Sequence, residues 1–112
     1  AVDVAQPNAC ITAGYTQCQK IAGLAAAFNT RFANGGAWPH YNMHLHAGLA
    51  NGSLVEYHSV AVQCCEMVFD GLGKPEAGML ALPETPGLGF SANRANIAEL
   101  AKRPGSRGVG KA

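Results

Sequence analysis

Few side chains in this 112-residue sequence could do chemistry, and most of them fall between Asn29 and His58. Glu56 closes the apolar run Leu54–Tyr57, and a carboxylate there could act as an acid or polarise a substrate if burial kept it protonated. It could equally be a structural partner of Arg31 or a lysine. His40 and His44 are spaced i, i+4, which on one helical face could hold a metal. No HExxH glutamate lies between them and no third ligand is evident, so ordinary loop and helix histidines are the favoured reading. His40, in a loop, could also touch a substrate. Asn34-Gly35-Gly36 could cradle an anionic group with backbone N–H donors, or simply turn the chain. It has neither a GxGxxG pattern nor a Walker lysine, which argues against a nucleotide. Trp38 and Tyr41 either wall a pocket or pack the loop. Asn8, just past Pro7, is a further polar group at a strand end.

Those residues need elements to place them. Val2–Ala5 reads as a strand closed at Pro7, since proline cannot donate to a following ladder. Cys10–Gly14 is a loop. Thr16 is a candidate helix cap, followed by Cys18, Ile21, Ala25 and Phe28 on one apolar face, with Leu24 beside them. Asn29 suits the left-handed residue that ends a helix. Thr30–Ala33 is a second strand. A short helix capped by Asn42 runs to about Ala50, and Leu54–Tyr57 is a third strand ending on Glu56. Beyond His58 the apolar residues fit neither period. Gly71–Gly78 is turn-rich, Met79–Leu82 reads as a short strand, and Pro83–Gly89 is a rigid loop. Ser91 or Asn93 caps a last helix with Ile97, Leu100 and Ala101 facing inward. Residues 104–112 form a glycine-rich, basic tail that reads as disordered. Strand–helix alternation implies an α/β fold of parallel βα units with right-handed crossovers. Side chains at the carboxyl ends of such strands line the active site in barrels and open sheets. Asn8, Asn34 and Glu56 would then share one end.

Composition narrows the function. The net charge is +1, with 13% charged and 48% hydrophobic residues. Near-neutral charge gives no footprint for nucleic acid or a membrane surface, and no apolar run approaches the roughly 18 residues of a membrane span. Charged residues are scarce against the typical quarter of a soluble domain. Parallel sheets are normally covered on both faces, so three strands alone look short of partners. AVDVAQPN opens directly in a strand pattern without an initiator methionine, so the chain is read as a fragment of a longer one rather than a processed mature protein; no basic, apolar leader suggests a signal peptide. Cys10, Cys18, Cys64 and Cys65 lack paired CxxC spacing and read as reduced thiols of a cytoplasmic protein.

Three stretches, QPNACITAGYTQCQKIAGLAAAF, HLHAGLANGSLVEYH and LALPETPGLGF, occur in an order and spacing that resemble a known family. From Val2 to Phe90 the chain resembles the carboxyl-terminal third of an enolase-superfamily enzyme of the mandelate racemase/muconate lactonizing type. The resemblance implies the sixth, seventh and eighth strands of a modified (β/α)8 TIM-type barrel, here incomplete. Residues 1–90 would be the barrel segment, with Met79–Phe90 returning toward a capping domain, and 91–103 a terminal helix. It implies a dehydratase, racemase or epimerase that abstracts the proton α to the carboxylate of a hydroxy or sugar acid and stabilises the enolate on Mg2+. The family's metal ligands and lysine bases lie on earlier strands, absent from these residues. Glu56 falls where the family often has a glutamate that holds or polarises the substrate carboxylate. Asn8 falls at the aspartate of the subgroup's His–Asp dyad, and Asn34 or Gly35 at its histidine. Asparagine and glycine cannot form that base, so a lysine elsewhere or His40 would move the proton. The implied site is Glu56, His40 and Asn8 for catalysis, and Asn34, Gly35 and Trp38 for substrate, with no metal ligand. The expected partners are the acid substrate, the remaining barrel segment or a partner chain, and further copies in a homo-oligomer. The alternative is a non-catalytic fragment that completes a barrel with another chain or self-associates. A small histidine-based metal module is a third reading.

Overall fold

The computed structural model describes residues 2–103. Strand β1 (Val4–Ala5) and strand β2 (Arg31–Phe32) pair in parallel, with Val4 opposite Arg31 and Ala5 opposite Phe32. Helix α1 (Tyr15–Ala27) connects them, giving one βαβ unit. Its buried face is made of small residues, Cys18, Ala22 and Ala25, which meet Phe32 of β2 and Leu45. Small side chains let the helix lie close to the strands. The expected apolar face is therefore corrected: Ile21 is half-buried, while Leu24 and Phe28 are 61% and 73% exposed. They flank the packed stripe and open onto a groove of about 530 Å3 bounded also by Val2, Ala5 and Ala25. Thr16 does not cap α1. The helix starts one residue earlier, after Gly14 at φ 90°, with no side-chain cap. Asn29 does take the left-handed conformation, at φ 53°.

Helix α2 (Pro39–Ala47) follows a run of three left-handed residues, Gly36, Ala37 and Trp38. Pro39 then starts the helix, a position where its missing N–H costs nothing. Asn42 is thus not the cap but a residue of the first full turn, and the helix stops at Ala47 rather than Ala50. The segment Leu54–Tyr57 is not a strand. It reaches the end of β2 through the Asn34 side chain instead of a backbone ladder, so the parallel sheet has two strands where three were expected.

Helix α3 (Ser59–Glu66) was not legible in the sequence. Only Val62 and Cys65 are buried on it, too few to show a period. Met79–Leu82 is also not a strand: Met79 forms a single bridge with Glu76 that closes a turn. Strand β3 (Phe69–Asp70) instead pairs antiparallel with β4 (Ser91–Ala92). Helix α4 (Arg94–Leu100) is capped by Asn93, whose side chain accepts from the Asn96 N–H at 2.8 Å. It buries no residue; Ile97 and Ala101 are exposed and Leu100 half-buried, against the expected inward face. The expectation of a disordered tail at 104–112 lies outside the described residues.

Residues 71–90 run out from β3 and return along α2. Two histidines one turn apart fasten them: His40 Nε2 meets the Gly73 carbonyl at 2.8 Å and His44 Nε2 the Leu88 carbonyl at 3.1 Å. Phe90 closes the return against Tyr41 and Phe69, with ring centroids 5.0 and 5.2 Å apart in edge-on geometry.

Candidate functional site

The loops that leave the carboxyl ends of β1 and β2 meet through three buried asparagines. Asn8 follows β1. Its Nδ2 donates to the carbonyls of Gly35 and Ala37, both at 2.8 Å, and its Oδ1 accepts from the Cys10 N–H. Asn34 follows β2; its Nδ2 donates to the Ala37 carbonyl at 3.3 Å. Asn42, from α2, donates to the Ala37 and Trp38 carbonyls at 3.1 and 3.0 Å and accepts from the Ala9 N–H at 2.9 Å. Three amides thus converge on one carbonyl oxygen. A buried polar group is stable only when its hydrogen bonds are made, and these amides satisfy one another's loops across about thirty residues of sequence.

The same residue holds the carboxylate, through the peptide on its other side. The Ala37 N–H donates to Glu56 Oε2 at 2.7 Å, and the Glu56 backbone N–H donates to Asn34 Oδ1 at 3.0 Å. Glu56 is exposed, not buried as an acid role would require. Among the described residues it enters no ion pair; those present join Lys74 to Glu66 and Lys102 to Glu99. The structural pairing with Arg31 or a lysine is therefore not found. What remains is a carboxylate fixed at one oxygen by a backbone donor, at the end of the sheet where strand-end loops gather.

Asn8, Asn34, Gly35 and Glu56 are thus brought together, and Trp38 adjoins them through its carbonyl, its ring lying edge-on to Tyr41 at 6.4 Å. His40 is not in the group. The phase of α2 turns it toward the returning segment, where it is buried between Tyr57 and Phe90, with Nε2 on Gly73 and Nδ1 without a partner. His44 is spent on Leu88, so the two histidines serve different carbonyls. Asn42 is the member that sequence reasoning missed. Its signal was a poor helix former in a first turn, where an asparagine tends to bond back to the backbone.

Electrostatics elsewhere follow burial. His46 lies against Phe32 at 5.4 Å, its Nδ1 accepting from the Ser53 N–H and its Nε2 unpartnered. Burial holds its pKa below the ordinary histidine value. All four cysteines are free, and burial pushes the Cys10, Cys18 and Cys65 thiols up, which makes them poor nucleophiles.

Mg2+ asks for near-octahedral oxygen ligation, usually with carboxylates. Among the described residues no group of three His, Cys, Asp or Glu could hold a metal. The single carboxylate at the asparagine cluster already accepts the Ala37 N–H. The described residues do not fit a Mg2+ site.

Comparison with known proteins agrees with the fold. The family described as enolase C-terminal domain-like matches residues 1–96. A D-galactonate dehydratase family member from Oceanicola granulosus is 29% identical over 114 residues, covering 96% of this chain and 28% of its own length. The mandelate racemase/muconate lactonizing enzyme from Jannaschia sp. CCS1 is 31% identical with a TM-score of 0.76, over 88% of this chain and 26% of that one. An enolase with bound Mg from the alphaproteobacterium bal199 also superposes with a TM-score of 0.76, over 88% of this chain and 26% of that one. At 21% identity it shows likeness of fold alone. The chain spans a little over a quarter of the length of these relatives.

Proposed function

The chain belongs to the enolase C-terminal domain-like family, and from that premise we propose that it supplies the last strand–helix units of a mandelate racemase/muconate lactonizing-type barrel enzyme. The enzyme is a dehydratase, racemase or epimerase that removes the proton α to the carboxylate of a hydroxy or sugar acid. The likeness to a D-galactonate dehydratase family member favours a sugar acid and a dehydration. Mg2+ belongs to the complete enzyme, with its ligands outside this segment.

One observation carries the reading: an exposed carboxylate, Glu56, is pinned by the Ala37 N–H where the loops after two parallel strands converge. In α/β proteins that end of the sheet is where substrates bind. Glu56 orients or polarises the substrate; Gly35 and Trp38 border it. Asn8 and Asn34 act by shaping the loop, since their amides neither take up nor release a proton near neutral pH and their hydrogen bonds are already committed. His40, turned away, holds the returning segment, so the base that moves the proton comes from outside this chain.

The test is incorporation of solvent deuterium at the α-carbon of a panel of hydroxy and sugar acids, with Mg2+, by the complete protein carrying this chain. Glu56→Gln is expected to lower exchange about a hundredfold, the scale of one lost transition-state contact. Exchange that is absent for every acid, or unchanged in Glu56→Gln, refutes the proposal.

A second reading rests on the groove beside α1. Val2, Leu24 and Phe28 lie open there, and among the described residues β1 pairs with β2 alone. An apolar face beside such a strand fits a further strand–helix unit, from a partner chain or from a copy of this one. Native mass spectrometry separates these: a larger companion chain supports completion in trans, and a homo-oligomer supports self-association.

A further inference from the structure

We propose that Asn42 is the positioning residue for the Glu56 carboxylate. This rests on the reading of Glu56 as a substrate-handling group, and it extends that reading to a residue with no contact to Glu56 itself.

Among the described residues the Glu56 side chain is fixed by one bond, the Ala37 N–H at 2.7 Å. Where that N–H points is decided by the backbone at residues 36–38, with φ of 79°, 69° and 61°. Glycine takes such angles freely, but Ala37 and Trp38 do not. Non-glycine residues stay in the left-handed region only when their surroundings over-determine it. Ala37 and Trp38 are the two residues whose carbonyls Asn42 grips, at 3.1 and 3.0 Å.

Asn42 is also placed to resist movement. It is fully buried, and its Oδ1 is anchored by the Ala9 N–H from the loop after β1. The helix that carries it begins at Pro39, directly after the strained pair. Asn42 therefore ties the loop after β1, the loop after β2 and the start of α2 into one unit. Asn8 and Asn34 share the Ala37 carbonyl with it, but Asn42 is the amide that also holds Trp38. Asn42 holds the two peptides that follow the Ala37 Cα, so its loss frees the Ala37 φ of 69° to relax toward ordinary angles, which turns the preceding Gly36–Ala37 peptide and its N–H away from the carboxylate.

The experiment reads the Ala37 amide directly by NMR, in the chain and in the complete protein that carries it. A hydrogen bond to a carboxylate moves this amide proton downfield, and Glu56→Gln gives the shift without that charge. In Asn42→Ala the Ala37 amide is expected to move toward the Glu56→Gln position. Its hydrogen exchange should speed up about tenfold, the equivalent of roughly one net hydrogen bond. The amides of Cys18 and Ala22 in α1 should keep their protection. An Ala37 shift and exchange rate equal to wild type overturns the proposal. So does an equal loosening of Ala37 and the α1 amides, which would mean general destabilisation. If Asn42→Ala does not fold, the wild-type side chain decides. The Asn42 amide protons should exchange about tenfold more slowly than those of exposed Asn96, and equal rates overturn the proposal. Turnover separates this inference from the reading beneath it. Asn42→Ala in the complete enzyme is expected to lower kcat with little change in KM. A displaced Ala37 amide with both constants unchanged would leave the positioning intact and refute the role of Glu56.

Discussion

Asn34→Ala isolates the buried link between the sheet end and Glu56. Asn34 is almost fully buried and makes two bonds of unequal worth. Its Oδ1 is the acceptor for the Glu56 N–H at 3.0 Å, and that bond should be worth about 1 kcal/mol net. Its Nδ2 bond to Ala37 is long, at 3.3 Å, and that carbonyl keeps Asn8 and Asn42, so little is lost there. Truncating a buried side chain leaves a void worth roughly 1–2 kcal/mol more. The sum is about 2–3 kcal/mol, which in a domain of this size lowers Tm by roughly 10–20 °C. Urea unfolding followed by circular dichroism gives the number from the midpoint at constant slope. Asn34→Asp is the control. It keeps the acceptor but turns the donor into a carboxylate oxygen facing the Ala37 carbonyl. At neutral pH it should cost at least as much as alanine, and it should recover on acidification as that carboxyl is protonated. A cost for Asn34→Ala below about 0.5 kcal/mol, that of an ordinary surface change, would refute the reasoning.

Three further perturbations test other parts of the structure. A Cβ on Gly52 would collide with the carbonyl oxygen of His46 and lie 2.8 Å from its carbon; Gly52→Ala should cost about 2–4 kcal/mol in urea unfolding, and a surface-like cost would mean the turn differs. Burial keeps His46 neutral while the unfolded chain takes up a proton near the ordinary value. Its contribution should therefore be complete above about pH 6.5 and decline as pH falls from there, by at most about 1.4 kcal/mol per pH unit for one proton. His46→Gln should flatten that decline in pH-dependent unfolding, and an unchanged slope would exonerate His46. Leu24→Glu with Phe28→Glu should leave the stability of the isolated chain within about 0.5 kcal/mol, because both side chains are already exposed. The same pair should abolish any assembly seen by native mass spectrometry; an intact assembly would move the contact elsewhere.

The parts of the fold legible in the sequence are those fixed by local chemistry. The strand–helix–strand unit showed in two apolar runs flanking a three-and-four spacing, the end of α1 in the left-handed Asn29, and the start of α4 in Asn93, one of two caps the sequence offers with Ser91. Leu54–Tyr57 failed as a strand because a strand is defined by its neighbour, and an apolar run does not say whether a neighbour is paired to it. The buried face of α1 is narrower than its apolar spacing predicts, because a large apolar side chain is not thereby a buried one. Against a sheet the close contact belongs to Ala22 and Ala25, while Leu24 and Phe28 stand beside it. Within the site, Asn8, Asn34 and Glu56 were visible because each follows a strand or an extended run. Asn42 was not, because its acceptor bond spans 33 residues to Ala9 and its donor bonds run backward into its own loop. His40 was placed in the mouth by its position before a helix. The helix starts one residue earlier than it, and that phase turns the ring toward Gly73.

The choice of asparagine at these positions has a physical logic of its own. A His–Asp pair at Asn34 and Asn8 would bring ionisable groups into a place where both residues are 2% exposed. Burying a charge there would demand compensation from opposite charge. The groups that Asn8 faces are the Gly35 and Ala37 carbonyls, which call for donors, and an aspartate has none when ionised. An amide meets that demand at no charge, and its oxygen still serves a backbone N–H. Three such amides hold the carbonyl of a residue in the left-handed region, Ala37, whose own N–H then faces a carboxylate. The cluster's charge is carried by Glu56, which is exposed and so remains solvated on the side that the Ala37 N–H does not cover. The arrangement separates two kinds of group: neutral buried amides set the shape, and one carboxylate stands exposed at the surface of the cluster. On the proposed reading, a proton-transferring group would have to be brought to it from another part of the protein, and this segment's share would be orientation rather than acid–base catalysis.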